Sequence, residues 1–260
     1  MSTISVNGIT VDYSDTGTGP ALLLVHGHPF DRSMWTPQLT WPGWRVVAPD
    51  LRGYGASTVV PGVTPLGDFA DDLAALADAL GIDRFVLGGL SMGGQVVLEC
   101  VRRFPSRIRG LLLADTSAPA ETPQGKASRN AIADRVLRDG MADHAAELLP
   151  KMVAPDADPQ VKAHVLAMMR AAPPEGAAAA LRGRAERPDY TDLLGAIQVP
   201  TLVVVGSADE FTPVSEAVFL SDRVPGSTLA VIDGAGHLPN LERPAEFNQA
   251  LAALLGQVAA

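Results

Sequence analysis

Ser91 is the natural starting point for chemistry in this sequence. It sits in Gly88-Gly89-Leu90-Ser91-Met92-Gly93-Gly94, one hydroxyl among four glycines, after an apolar run and before an amphipathic one. A strand that turns sharply into a helix strains its turn residue. Side chains at the flanking positions would collide there, and glycine avoids this. Such a turn lifts a hydroxyl clear of a sheet and leaves free N–H groups of the new helix beside it. Phosphate-binding readings fail on the same residues. Gly94-Gln95 stands where a P-loop needs Lys followed by Ser or Thr, and no G-x-G-x-x-G follows the strand.

A serine hydroxyl is a weak nucleophile until a base takes its proton, and the base needs a carboxylate to orient it. The chain has 5 histidines. His237 lies in a glycine-rich loop, Asp233-Gly-Ala-Gly-His237, after the last strand-like run and before the last helix-like one. Sheets with parallel strands place ligand chemistry on such loops. His144 and His164 fall on helical stretches amid polar residues and read as surface groups. His26 and His28 follow the apolar run from Ala21; no carboxylate or third ligand is close in sequence, so this pair does not read as a metal site. His26 reads as a buried orienting residue. For the carboxylate, Asp209 stands just past the apolar run Thr201 to Val205. Asp115, just past another run, competes with it, and Glu210 is a weaker third. Asp50 reads as structural. A developing oxyanion needs fixed N–H donors, and the backbones of Met92 and His28 are placed to supply them.

These residues need a scaffold that brings them together. Asn7-Gly8 inside Ile4 to Asp15 is a hairpin signal. Thr64-Pro65 resembles a helix cap followed by a first-turn proline, with Phe69, Leu73, Leu76 and Leu80 at helical spacing and Gly81 as the stop. Apolar strand-like runs then alternate with amphipathic helical ones, as in a mostly parallel sheet covered on both faces. Residues 117–195 break the alternation with helical stretches only. They read as a helical cap inserted between core segments 1–116 and 196–260. Ile132, Val136, Leu137 and Met141 should share one face of the cap, and Val161, Val165, Met168 and Met169 another. Leu148, Met152, Met168 and Met169 are the candidates to line a pocket under it. Arg129, Arg135, Arg182 and Arg184 read as surface residues, but they are the cations available to an anionic substrate.

Composition narrows the function. The chain has 260 residues, 47% of them hydrophobic, and a formal net charge of −9. An acidic chain with no basic stripe does not bind nucleic acid well. The start lacks a basic then apolar leader pattern, and no apolar run approaches the roughly 18 residues of a membrane helix. One cysteine, Cys100, excludes an internal disulfide and fits a reducing cytoplasm.

Taken together, His26 to Pro29, Asp50 to Ser57, Gly89 to Gly94, Gly206 to Pro213 and Gly234 to Pro244 resemble the α/β-hydrolase superfamily over nearly the whole chain. The closer likeness, carried by Gly89 to Gly94 and Leu111 to Ala118, is to small esterases grouped with enol-lactonases and cofactor-free haloperoxidase-like hydrolases. The resemblance implies an α/β fold with Ser91 as nucleophile, His237 as base and acid, Asp209 as its orienter, and Met92 and His28 as oxyanion donors. It implies no metal and no organic cofactor. Epoxide hydrolases and dehalogenases carry a carboxylate at the elbow, where this chain has Ser91. The expected activity is hydrolysis of a small ester or lactone, with peracid formation from hydrogen peroxide as the alternative; a non-catalytic ligand-binding module is the rival from another class. The expected partner is a small molecule, with no nucleic acid and no membrane; a homo-oligomer is compatible with the sequence.

Overall fold

The computed structural model describes residues 2–259. β1 (Ser2–Val6) and β2 (Ile9–Thr16) form the hairpin at Asn7-Gly8, with both turn residues at positive φ, 48° and 77°. A two-residue type I′ turn requires that pair. There follow β3 (Ala21–Val25), β4 (Arg45–Pro49), α1 (Leu66–Ala79), β5 (Phe85–Leu90), α2 (Met92–Arg103) and β6 (Ile108–Ala114). Five helices come next: α3 (Pro123–Asp139), α4 (Ala142–Met152), α5 (Pro159–Ala171), α6 (Pro174–Ala185) and α7 (Thr191–Leu194). The chain ends with β7 (Thr201–Gly206), α8 (Val214–Arg223), β8 (Thr228–Ile232), α9 (Pro239–Glu242) and α10 (Pro244–Ala259).

The strands make one sheet in the order β1-β2-β4-β3-β5-β6-β7-β8. β2 pairs antiparallel with β1 and β4, and every other pairing is parallel. The chain builds outward from β3 to β4 on one side and from β3 to β5 on the other. Such a reversal opens a crevice beyond the carboxyl ends of the two strands. β3, β5, β6 and β7 read as continuous apolar runs because both of their faces are buried. Leu23, Val25, Leu87 and Leu113 pack with Phe69, Leu73 and Val96 from α1 and α2. Leu22, Leu24, Val86 and Leu112 pack with Phe247 and Leu251 from α10.

The helices between β6 and β7 divide along the same line. α3 packs on α6 and α4 on α5. Val136 and Leu181 join the first core, whereas Met152, Val165, Met168 and Met169 join the second. Two local expectations shift. Pro65, not Thr64, stands at the N-cap of α1, with no side-chain capping bond, and the Thr64 N–H donates to Ala179 C=O of α6 at 3.0 Å. Leu137 is 43% exposed, turned from the face that buries Ala133 and Val136. No described helix is long and apolar enough to cross a membrane.

Candidate active site

β5 ends at Leu90 and α2 begins at Met92, so Ser91 alone makes the turn, at φ 58° and ψ −117°. A non-glycine residue held there costs on the order of 1–3 kcal/mol. Hydrogen bonds over-determine it. The Ser91 N–H donates to Ala114 C=O at 2.9 Å, and its C=O accepts from Gln95 N–H at 3.2 Å and from the Thr116 hydroxyl at 2.7 Å. Because Gln95 is the first residue to bond back into the helix, the N–H of Met92 has no intrahelical acceptor. The flanking glycines make the turn possible. A Cβ on Gly93 would lie 2.2 Å from Val25 O and 2.8 Å from His26 O, backbone atoms of the neighbouring strand and its loop. Gly93→Ala is therefore expected to lower Tm by several degrees, from an overpacking cost of about 1–3 kcal/mol at about 2–4 °C each. Gly256→Ala, in α10 with open space around it, should leave Tm unchanged or higher. Thermal melts of the two variants check both.

His237 and Asp209 follow β8 and β7. Imidazole Nδ1 and Asp209 Oδ2 are 2.7 Å apart and both residues are buried. Nδ1–H donating to the carboxylate leaves Nε2 as the ring's acceptor. Asp209 Oδ1 accepts the Phe211 N–H at 2.8 Å, which fixes the carboxylate. Glu242 holds the His237 loop from below: its Oε1 accepts from Gly236 N–H at 3.0 Å and its Oε2 from Ala154 N–H at 2.8 Å. That one side chain ties the loop to the end of α4. Burial raises the Glu242 carboxyl above its ordinary range, against the pull of those N–H groups.

Asp115 is the close neighbour of this pair. It follows β6 at φ 44°, and single ligating atoms of Asp115, Asp209 and His237 lie within 4.8 Å of one another. Asp115 Oδ1 accepts the Gly206 N–H at 2.9 Å, while its buried Oδ2 has no partner among the described residues. Burial, then the Asp209 charge, raises its carboxyl well above the usual range, which favours the protonated form at Asp115 over a second carboxylate there.

At the far side of the crevice, His26 anchors the loop after β3. Its Nε2 accepts the Leu51 N–H at 2.9 Å, so Nδ1 carries the proton and donates to Gly27 C=O at 2.8 Å. Burial lowers its pKa and keeps it neutral. His28 follows, with Nδ1 2.7 Å from the Tyr54 hydroxyl. Asp50 is structural: Arg32 pairs with it, and the Ala56 N–H donates to it at 2.9 Å.

Ser91, His237 and His28 line one cavity of about 280 Å³, together with Leu148 and Met152 of α4 and Leu181 and Arg184 of α6. A family description for the alpha/beta hydrolase fold matches residues 20–244. The chain belongs to the α/β-hydrolase family. This α/β hydrolase is 30% identical over 246 residues to 3-oxoadipate enol-lactonase 1 of Acinetobacter baylyi, covering 93% of this chain and 90% of that one. It is 34% identical over 240 residues to the pimeloyl-[acyl-carrier protein] methyl ester esterase of Neisseria meningitidis serogroup B, covering 86% and 88%. Among solved structures it superposes on a malate-bound thermophilic esterase from Thermogutta terrifontis with TM-score 0.95 and 43% identity, covering 99% and 97%.

The α/β-hydrolase scaffold places several expected groups elsewhere. Met168 and Met169 do not line the cavity; α5 turns them into the core beside α4, and His164 of the same helix lies 3.3 Å from Ser33 Oγ. His144 is a correction in the other direction. It is 8% exposed and lines the cavity, its Nδ1 2.8 Å from Arg135 Nη2. α4 turns His144 to the cavity together with Leu148 and Met152, and helical periodicity does not distinguish a polar group facing a cavity from one facing solvent. Arg129 and Arg184 also line the cavity, while Arg135 and Arg182 pair outside it with Glu147 and Asp134. Tyr54, Gln95 and Glu242 carried no sequence signal beyond their neighbourhood to the motifs.

Proposed function

We propose that this chain hydrolyses a small carboxylic ester or lactone through an acyl-enzyme on Ser91. The observation that carries the reading is the His237–Asp209 pair on the cavity that Ser91 lines from a strained turn. The relatives support the reaction class: one is named an enol-lactonase, another a methyl ester esterase. His237 Nε2 takes the Ser91 hydroxyl proton as Oγ bonds to the substrate carbonyl carbon. The N–H groups of Met92 and His28 hold the oxyanion. His237 then gives the proton to the departing alkoxide, takes one from water as it attacks the acyl-enzyme, and returns it to Ser91 as the acid leaves. Asp209 keeps the imidazole in the tautomer with Nε2 free. Segment 117–195 acts as the cap that shapes the acyl site, with Leu148 and Met152 as its apolar wall. The compartment we assign is the cytoplasm.

A panel of short methyl esters and γ- and δ-lactones, assayed with and without hydrogen peroxide, tests the class. An alkyl fluorophosphonate should label Ser91 alone and stop turnover. Turnover that survives stoichiometric labelling of Ser91 would refute the acyl-enzyme. Peracid formed at a rate above that of hydrolysis would reassign the acceptor from water to peroxide.

A further inference from the structure

We propose that Arg184 and the donors beside it form a subsite for a carboxylate carried by the substrate, so that the ester or lactone is anionic. The identification of the subsite as a substrate site rests on the hydrolase reading above. The starting observation is an unanswered charge. Arg184 is 7% exposed and lines the cavity, yet among the described residues its side chain makes one hydrogen bond, from Nε to Gln95 Oε1 at 3.1 Å. A buried guanidinium normally holds a carboxylate, because an unpaired charge out of water is costly. The carboxylates on the cavity wall do not serve it. Glu121 takes Arg187 at 2.8 Å and Arg129, and although burial raises its pKa, these two partners bring it down to about 2. Burial favours the protonated form of Asp115. Arg184 is therefore a guanidinium on the cavity wall with no carboxylate partner among the described residues, inside a chain of net charge −9.

Two neutral imidazoles on the same wall offer donors. Arg135 donates to His144 Nδ1, so the proton of that ring is on Nε2. His28 Nε2 is buried without a partner. The Tyr54 hydroxyl has His28 Nδ1 as its one acceptor among the described residues, and donating there puts the His28 proton on Nε2. Arg184, His144 and His28 thus line one cavity with a cation and with ring donors that no described acceptor answers. The geometry is rigid. α6 touches the core backbone to backbone: a Cβ on Gly176 would lie 1.9 Å from Gly53 O, and one on Gly183 1.7 Å from Thr64 O. Gln95, which anchors Arg184, is one turn of α2 beyond Ser91, about 6 Å of helix rise. The carboxylate would sit a short carbon chain from the scissile carbonyl.

The test compares methyl hydrogen glutarate with the neutral ester of the same carbon chain, methyl pentanoate, followed by pH-stat titration. In wild type kcat/KM should favour the anion by about tenfold or more, a difference of about 1.4 kcal/mol, and through KM. In Arg184→Met the ratio should fall to about one, and Arg184→Lys should restore part of it. Free glutarate should raise the Tm of wild type and of Ser91→Ala, and leave that of Arg184→Met in place. Without glutarate, Arg184→Met should melt no lower than wild type, since it loses an unpaired buried charge. Turnover of both esters without preference overturns the subsite and leaves the hydrolase standing. No turnover of either ester or of any lactone of the panel above, with the glutarate shift intact, refutes the hydrolase and leaves the subsite. A wild-type Tm that glutarate does not move overturns the subsite even if no Arg184 variant folds.

Discussion

Ser91→Ala is expected to lower kcat by about 10⁶-fold on any ester that the wild type turns over, the loss seen when a serine hydrolase loses its nucleophile. The variant should fold. The bonds that hold residue 91 in its turn are made by its backbone N–H and C=O, with Ala114, Gln95 and Thr116, and alanine keeps all three. Alanine also meets the same strain at φ 58° as serine. The Tm should therefore stay within a few degrees of wild type, which separates loss of chemistry from loss of structure. Residual rate above water should persist, because the N–H groups of Met92 and His28, proposed above as oxyanion donors, remain. Steady-state kinetics on methyl pentanoate with the melting curve beside it would decide. A variant within about tenfold of wild type, well short of the loss expected for a missing nucleophile, would remove Ser91 from the mechanism.

The sheet is legible in the sequence because burial on both faces leaves β3, β5, β6 and β7 as largely apolar runs. The turn at Ser91 is legible because its steric demand falls on four glycines. The helices between β6 and β7 are less so. Their apolar faces are used twice, toward the two cores and toward the cavity, and periodicity does not say which. Met152 and Met169 differ in this way alone: the first reaches the cavity and the second is spent in the core. Arg184 and His144 carry the same ambiguity in polar form. A charged residue on a helix ordinarily marks the solvent face, but here it marks a polar hollow that only the path of the chain creates.

Asp209→Asn should lower kcat by about 10⁴-fold, because an amide at the imidazole favours the wrong tautomer while leaving the geometry in place. Asp115→Asn should cost far less. Its Oδ1 can still accept the Gly206 N–H, and its amide N–H can stand in for the proton of the neutral acid beside Asp209. The two variants differ in stability as well. The folded-state pKa of Asp115 is raised by burial and by the Asp209 charge, against an unfolded value of about 3.9. Between those two values the folded chain holds a proton that the unfolded chain gives up, so stability falls as pH rises through the window. Asparagine has no proton to hold. The Tm of Asp115→Asn should exceed that of wild type at pH 8, and the gap should close as pH falls toward about 4. Melting curves across that range, with kcat for both variants, test the assignment from two sides. If Asp115→Asn were the variant that lost four orders of magnitude while Asp209→Asn stayed near wild type, the two carboxylates would exchange roles: the one after β6 would orient the imidazole, and the one after β7 would be its neighbour.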